Sequence, residues 1–261
     1  MSEKKLLIPR NDGGNLKAVH FFTKNLVFKK GDKKSPLVIL CHGFTGDKYE
    51  NGRYPKTARA LNEAGFDTLI FDFSGSGENE RELVLLSKQV KDLESVYRWA
   101  EKQYYSWIAL VGLSFGGLTT FVTNLPSVKA IVLWAPVLYP TRVFEDEKLN
   151  LFLAIKSLRK RPLKLPSISE KGPILVDKSF ADDLSRYDLI FRLKSFTIPT
   201  LIVQGTTDTV VKLIDTREAF SYFPRNKLHK LIEIPNATHE FDGVQLDEFI
   251  KQTIDWLKKY V

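Results

Sequence analysis

Short runs of consecutive apolar residues alternate along most of the chain with longer segments in which apolar residues recur every three or four positions. The first pattern predicts buried strands, and the second predicts helices with one apolar face. Strands that alternate with helices indicate a mostly parallel sheet covered by helices on both faces. The predicted strands are 37–41, 68–73, 108–111, 130–135, 200–205 and 228–234. The predicted helices are 55–64, 85–104, 115–124, 213–222 and 246–259.

The N-terminal part of the chain departs from this alternation. Residues 16–23 and 26–29, with Asn25 near the turn between them, have the pattern of two short strands. We therefore expect an antiparallel hairpin ahead of the parallel strands.

The alternation also stops between Val137 and Ile198, where prolines and charged residues are frequent and residues 166–176 predict a small hairpin. We therefore expect an α/β core formed by residues 1–136 and 199–261, with a cap inserted between the sixth and seventh strands. This cap, residues 137–198, is called the insert below. In α/β folds, insertions at strand ends carry substrate-binding elements.

Composition narrows the class of protein. The 261 residues are 43% hydrophobic and 27% charged, as in an average globular chain. The net charge of +8 is mostly dispersed, and the densest basic stretch, 156–164, has no aromatic residue that could stack on a base. We therefore expect a solvated basic surface and no nucleic-acid partner.

The cysteine content and the first residues of the chain bear on the compartment. Cys41 is the only cysteine, which excludes an intrachain disulfide. The first ten residues contain an apolar run of only Leu6, Leu7 and Ile8, which is shorter than a signal-peptide core or a membrane span. A cytoplasmic protein without a membrane span is the expectation.

One short motif carries chemistry. Gly112-Leu113-Ser114-Phe115-Gly116 matches the pattern G-x-S-x-G and lies between a predicted strand and a predicted helix. In such a turn the serine takes a strained backbone conformation, and the small flanking residues allow strand and helix to approach closely. The hydroxyl of Ser114 is then expected at the carboxyl edge of the sheet, above the N-terminus of the helix.

A serine nucleophile needs a base, and the chain has four histidines. His20, in the predicted hairpin, and His229, at the start of an edge strand, are interpreted as packing or surface residues. His42 ends a buried strand beside a glycine, where it can shape a loop. His239 follows the last predicted strand, so it can reach over the sheet edge, and it is the predicted base.

The acid that orients the base is predicted to be Asp208, which follows the strand 200–205. The chain order Ser114, Asp208, His239 is the Ser…Asp…His order of one particular fold. Three carboxylates of the insert are interpreted as solvated surface groups: Asp177, Asp182 and Asp183.

These segments together resemble the α/β-hydrolase superfamily over nearly the whole chain. The resemblance rests on Cys41-His42-Gly43-Phe44, on the stretch from Phe71 to Gly77, on the Ser114 turn, and on the loops of Asp208 and His239. Within the superfamily, the chain resembles the carboxylesterase and cinnamoyl (feruloyl) esterase group. Acylglycerol lipases and serine-aminopeptidase-like proteins are related to that group.

The resemblance implies an oxyanion hole formed by the backbone N–H groups of Phe44 and Phe115, and no metal or organic cofactor. It also shows departures. Ser74 and Ser76 stand where relatives usually have Arg and His, and Leu113 stands where many have His.

The expected function is therefore a carboxylic-ester hydrolase that acts through an acyl-enzyme on a small-molecule ester, with short-to-medium acyl or cinnamoyl and aryl esters as candidates. Aromatic residues of the insert are expected to line an acyl or aryl pocket. They are Tyr139, Phe144, Phe152, Phe180 and Tyr187.

Three alternatives remain open on sequence grounds. The first is a peptidase or amidase, in which Glu145 or Asp146 would hold the amine of the substrate. The second is an acylglycerol lipase, and the third is a non-catalytic protein that uses the pocket as a receptor. A homodimer is also left open.

Overall fold

The computed structural model describes residues 2–23, 35–125, 127–144 and 161–260. Eight of its strands form one sheet in the order β1-β2-β4-β3-β5-β6-β9-β10, and β7 and β8 form a separate antiparallel pair. The strands are β1 Ser2–Pro9, β2 Asn15–Phe22, β3 Leu37–Cys41, β4 Asp67–Phe71, β5 Ile108–Leu113, β6 Val128–Trp134, β7 Leu163–Leu165, β8 Ile174–Val176, β9 Thr200–Gly205 and β10 His229–Ile234.

The helices are α1 Arg53–Glu63, α2 Leu86–Glu101, α3 Phe115–Val122, α4 Pro140–Phe144, α5 Ser179–Leu184, α6 Leu189–Ser195, α7 Leu213–Ser221 and α8 Gly243–Leu257. Two 3-10 turns, Glu50–Gly52 and Lys258–Tyr260, adjoin α1 and α8. Within the described residues, no helix has both the length and the apolar content needed to cross a membrane.

The six strands from β3 to β6 and from β9 to β10 in this sheet are parallel, as the alternation of strands and helices predicted. All five residues of β3 are buried because helices cover both faces. Leu37, Ile39 and Cys41 face the apolar layer that contains α2 and α3. Val38 and Leu40 face the layer that contains α1 and α8.

The N-terminal hairpin differs from the prediction. β2 pairs antiparallel with β1, from Ser2 opposite Phe22 to Pro9 opposite Asn15, and its other edge pairs with β4. The pairing predicted between 16–23 and 26–29 is therefore wrong, and 26–29 lies outside the described residues. β1 escaped prediction because it is an edge strand with mostly exposed side chains, so it lacks a continuous apolar run.

The insert joins the end of β6 to the start of β9, and its described part holds α4, the β7–β8 pair, α5 and α6. The predicted hairpin at 166–176 is displaced, because its first strand is β7 at Leu163–Leu165. Backbone hydrogen bonds attach the middle of the insert to the core. Val84 N donates to Leu175 O at 2.9 Å, and Ile168 N donates to Thr45 O at 3.1 Å.

Candidate active site

Ser114 occupies a sharp turn between β5 and α3. Its backbone has φ 54° and ψ −116°, which is unfavourable for a residue with a side chain. The neighbouring chain holds this turn, because Ser114 N donates to Trp134 O at 2.8 Å and Val137 N donates to Ser114 O at 3.1 Å. The result is a serine raised at the carboxyl end of the sheet.

Two glycines make the turn sterically possible. A Cβ atom at Gly116 would lie 2.2 Å from His42 O and 2.3 Å from Cys41 O. A Cβ atom at Gly112 would lie 2.6 Å from Gly116 O. Helix α3 therefore packs directly on the end of β3, and this packing fixes where Ser114 stands.

Ser114, His239 and Asp208 form one hydrogen-bonded chain. His239 Nε2 lies 3.1 Å from Ser114 Oγ, and His239 Nδ1 lies 2.8 Å from Asp208 Oδ2. A carboxylate only accepts hydrogen bonds, so Nδ1 carries the proton and Nε2 is free to accept from the hydroxyl. The Asp208 side chain is fully buried and that of His239 is 17% exposed. The structure thus brings together the three residues that the sequence singled out.

Asp208 is held by four donors. Its Oδ1 accepts from Val210 N at 2.9 Å and Val211 N at 2.8 Å, and its Oδ2 accepts from Gln204 Nε2 at 3.0 Å as well as from His239. Gln204 is fully buried in β9. The sequence reading missed its role, although a lone amide side chain inside an apolar strand was an available signal.

The loop of Asp208 is tied to the loop of His239. Thr207 donates to Ala237 O from its backbone N at 3.1 Å and from its Oγ1 at 3.0 Å. A Cβ atom at Gly205 would lie 2.2 Å from the same carbonyl oxygen. These contacts fix the base relative to the acid.

The two residues predicted to supply oxyanion N–H groups lie close to Ser114: Phe115 follows it directly in the chain, and Phe44 lines the same cavity as Ser114. Phe115 N begins α3, so its N–H has no acceptor in the preceding turn. Within the part of the chain that the structure describes, neither Phe44 N nor Phe115 N donates to a protein acceptor. Neither N–H group is therefore committed to an acceptor in that part of the protein.

His42 shapes the loop that carries Phe44. Phe73 N donates to His42 Nε2 at 3.0 Å, so the ring proton lies on Nδ1, which donates to Gly43 O at 2.8 Å. Gly46 N also donates to Gly43 O, at 3.2 Å. Because Gly43 O and Phe44 N belong to one trans peptide, these bonds orient the Phe44 N–H.

A buried ion pair anchors the same loop to the end of β4. Lys48 Nζ lies 2.7 Å from Asp72 Oδ2, and Lys48 N donates to Asp72 Oδ1 at 2.8 Å. Burial by itself lowers the pKa of Lys48, but the contact with Asp72 outweighs it and raises that pKa above its ordinary value. The cation is therefore retained inside the protein.

A cavity of about 310 Å³ opens at Ser114 and is called the Ser114 cavity. Its apolar lining residues are Phe44, Leu113, Val137, Val143, Phe144, Ile168 and Val210. Its charged or ionisable lining residues, besides His239, are Glu50, Arg53 and Glu240.

A second cavity, of about 450 Å³, lies within the insert and is called the insert cavity. Its lining includes Tyr139, Phe144, Phe180 and Tyr187, which the sequence analysis named as pocket residues. Phe144 lines both cavities. Four phenylalanine rings contact one another at the boundary, with centroids 5.0–5.7 Å apart: Phe44, Phe115, Phe144 and Phe180.

Several other residues named from the sequence lie away from Ser114. His20 is buried beside Tyr105, and His229 is buried against Phe196 O. Asp177 accepts from Ser179 N in its own turn. The interpretation of Asp183 as a solvated surface group is wrong, because Asp183 is buried and accepts from Ser87 N at the start of α2. Asp182 is exposed on α5. Glu145, Asp146 and Phe152 lie outside the described residues.

The structure also shows the surroundings of Ser74 and Ser76, which depart from the family pattern, and of Cys41. Ser74 donates to Asp92 from its backbone N and its Oγ, both at 2.8 Å. Ser76 is buried, and its Oγ has no partner within the described residues. Cys41 is buried at the end of β3, and burial raises the pKa of its thiol to about 12. Among the described residues, no cluster of three or more His, Cys, Asp or Glu side chains could hold a metal ion.

Comparison with known proteins places this architecture in a class. The family model described as serine aminopeptidase, S33 (Hydrolase_4), matches residues 32–187, which is more than half of the chain. The fold is the α/β-hydrolase fold, as predicted, and the chain belongs to this family of α/β hydrolases.

Three particular proteins show how far the similarity extends. An Escherichia coli protein described as an uncharacterized 31.7 kDa protein in the traX-finO intergenic region is 45% identical over 110 residues, 40% of this chain. The chain spans only 38% of that relative's length. Est1E from Butyrivibrio proteoclasticus is 23% identical, with a TM-score of 0.77 over 98% of both chains, and has also been solved with ferulic acid bound. The Pyrococcus furiosus esterase Pf2001 is 19% identical, with a TM-score of 0.71 over 99% of this chain and 93% of that one.

Proposed function

We propose that this protein hydrolyses carboxylic esters through an acyl-enzyme formed on Ser114. The observation that carries the proposal is the hydrogen-bonded chain Ser114–His239–Asp208, with the backbone N–H groups of Phe44 and Phe115 free of any acceptor among the described residues. A receptor pocket has no need of a histidine held in the tautomer that accepts a serine proton. Membership of a hydrolase family supports the same class of activity.

The chemistry follows from the tautomer of His239. Ser114 Oγ attacks the ester carbonyl carbon while His239 Nε2 takes the hydroxyl proton, and Asp208 stabilises the imidazolium that forms. The tetrahedral intermediate expels the alcohol, which takes the proton from His239, and the acyl group remains on Ser114. A water molecule then repeats the sequence and releases the acid.

The negative charge that develops on the carbonyl oxygen is assigned to the N–H groups of Phe44 and Phe115. Fixed backbone donors in a site shielded from water stabilise such a charge more than solvent does. The N-terminus of α3 adds a favourable dipole at the same place.

An aminopeptidase is the second candidate, because the family description names one. An exopeptidase needs a carboxylate that can hold the substrate's ammonium group. The two carboxylates in the described lining of the Ser114 cavity, Glu50 and Glu240, both bond to Arg53. This pairing favours the ester over the amine-bearing substrate.

The many apolar residues that line the Ser114 cavity support an acyl or aryl group as the part of the substrate held there. We assign substrate selection to residues 137–198 as a cap, and the chemical step to the core of residues 1–136 and 199–261. The ferulic acid bound to Est1E makes aryl acids a reasonable group to test.

The test is a substrate panel measured on wild-type protein and on Ser114→Ala. The panel contains nitrophenyl esters from acetate to decanoate, a cinnamoyl-type ester, a monoacylglycerol and aminoacyl nitroanilides. The proposal expects turnover of esters that depends on Ser114 and little turnover of the nitroanilides. Efficient nitroanilide turnover would favour the peptidase, and turnover of nothing in the panel would favour the receptor.

A further inference from the structure

The backbone next to the Ser114 cavity contains an unusual turn. Glu50, Asn51 and Gly52 have φ values of 47°, 53° and 86°, so three consecutive residues lie in the left-handed region. Only the third is a glycine, which adopts that conformation without strain. A strained turn persists when its surroundings hold it, and here the turn directs the Glu50 side chain inwards.

The Glu50 carboxylate contacts the loop that carries Phe44. Its Oε1 accepts from Gly43 N at 2.6 Å, and the side chain is 3% exposed. The loop closes around this oxygen, because a Cβ atom at Gly46 would lie 2.2 Å from it. A carboxylate in such a place forms a stronger hydrogen bond than a neutral acceptor would.

With this bond, both peptides that flank Gly43 are fixed. Glu50 holds the preceding peptide through Gly43 N. His42 and Gly46 hold the following peptide through Gly43 O, and that peptide bears the Phe44 N–H. Glu50 therefore acts on the orientation of the N–H group assigned to the oxyanion.

Arg53 links Glu50 to the loop of the base. Its Nη2 donates to Glu50 Oε2 at 2.8 Å and its Nε donates to Glu50 O at 3.0 Å. Its Nη1 donates to Glu240 O at 2.9 Å, and Glu240 directly follows His239. The Arg53 side chain is 12% exposed, and its guanidinium carbon lies 5.3 Å from the centroid of the Phe241 ring. One side chain thus joins the two loops that border Ser114.

We propose that Glu50 and Arg53 form a positioning pair that orients the Phe44 N–H and couples its loop to His239. This inference rests on the proposed function for its catalytic consequence, although the positioning itself is a property of the loops. Both Glu50 oxygens are engaged, so the carboxylate is neither a general base nor a substrate ligand.

Charge gives the pair a second effect. An unpaired Glu50 carboxylate beside the oxyanion would repel the negative charge of the transition state, and Arg53 neutralises it. Removal of Arg53 alone should therefore harm catalysis more than removal of charge from both residues.

The kinetic test uses Glu50→Ala, Glu50→Gln, Arg53→Met and the double variant Glu50→Gln/Arg53→Met. Loss of one oxyanion donor costs ~10²–10³ in kcat, so a misoriented donor in Glu50→Ala is expected to lower kcat by ~10–100-fold with KM little changed. Affinity for a trifluoromethyl ketone should fall by the same factor as kcat/KM. Glu50→Gln keeps an acceptor oxygen and should retain most of the activity. The kcat of the double variant should be higher than that of Arg53→Met.

The control is Arg217→Met, which breaks a bidentate but exposed pair with Glu233 and should leave kcat unchanged. The free energy of unfolding is measured for every variant. If Glu50→Ala does not fold, the proposal is tested by comparing kcat of Arg53→Met with kcat of the double variant. Wild-type kcat in folded Glu50→Ala, or equal loss in Arg53→Met and the double variant, overturns the proposal.

Amide hydrogen exchange separates this inference from the proposed function. Glu50→Ala should speed exchange in residues 43–46, and Arg53→Met should speed it both there and in residues 239–241. Exchange around Ser114 should not change. This result can be obtained even if the wild-type protein hydrolyses no ester, and unchanged exchange in residues 43–46 would overturn the positioning role.

Discussion

The two sides of the Ser114 cavity are built on different principles. On one side lie the proposed acid and base, Asp208 and His239, and side-chain hydrogen bonds join Asp208 to His239 and His239 to Ser114. On the other side, the proposed oxyanion donor is the backbone N–H of Phe44, and buried side chains behind the loop hold its peptide through Gly43. We call these the side-chain side and the backbone side.

This difference predicts how strongly substitutions on each side should lower activity. Loss of a member on the side-chain side removes a proton donor or acceptor, so the proposed reaction should nearly stop. Loss of a support on the backbone side leaves the N–H group present but misplaced, so the effect should be graded. The predictions below test this contrast, beginning with the largest expected effect.

Ser114→Ala should lower ester turnover by ~10³-fold or more, because the members of a Ser-His-Asp unit act together and leave only a residual contribution from the oxyanion donors. The variant should fold, since Ser114 N and Ser114 O, not its Oγ, hold the turn. Steady-state kinetics with circular dichroism as the folding control checks this. Turnover close to wild type in a folded variant would remove Ser114 from the mechanism.

Asp208→Asn should lower kcat by roughly 10²–10⁴-fold. Backbone N–H groups at Val210 and Val211 would keep the amide oxygen, so the amide nitrogen would face His239 and favour the tautomer that cannot accept from Ser114. Asp177→Asn is the matched control, because that carboxylate only supports Ser179. A greater loss in the control than in Asp208→Asn would show that the acid is misassigned.

Phe144→Ala should change specificity more than rate, because it removes a side chain that separates the Ser114 cavity from the insert cavity. Each accommodated methylene group is worth ~1–3 kcal/mol, so the ratio of kcat/KM for decanoate over acetate esters should rise by about tenfold. Phe191→Ala, at an exposed position of α6, is the control. An unchanged ratio in Phe144→Ala would place specificity elsewhere in the cavity.

Asp92→Asn should alter the pH dependence of stability with little effect on activity. Burial raises the pKa of Asp92 to about 6 from an ordinary 3.8, even though Ser74 donates two hydrogen bonds to it. The folded state therefore binds more protons than the unfolded state between those values, and stability falls as pH rises through this window.

Asp92→Asn has no titrating carboxyl at this position, so it should not lose stability in this pH window. The difference in free energy of unfolding, variant minus wild type, should therefore rise between pH 4 and pH 7 by at most roughly 3 kcal/mol. Urea unfolding at several pH values measures it, with exposed Asp182→Asn as the control. A difference that does not vary with pH would mean that Asp92 titrates normally.

The same contrast explains how much could be predicted from the sequence. The parallel strands were predictable because strands buried on both faces are continuous apolar runs. Ser114, Asp208 and His239 were singled out because each follows a predicted strand, in the chain order of a known triad. Strand β1 was not predictable, because an exposed edge strand has no continuous apolar run. Glu50, Arg53 and Gln204 were also missed, because a buried polar residue reveals its role only through partners that the fold brings together.

The central claim, an acyl-enzyme on Ser114, is tested most directly by mapping the adduct of a fluorophosphonate. The protein is labelled, digested with trypsin and analysed by fragmentation mass spectrometry of the peptide spanning residues 103–129. The account predicts one adduct per chain, located on Ser114, formed slowly in Asp208→Asn and absent in Ser114→Ala. Labelling at another residue, or equal labelling of Ser114→Ala, would contradict it.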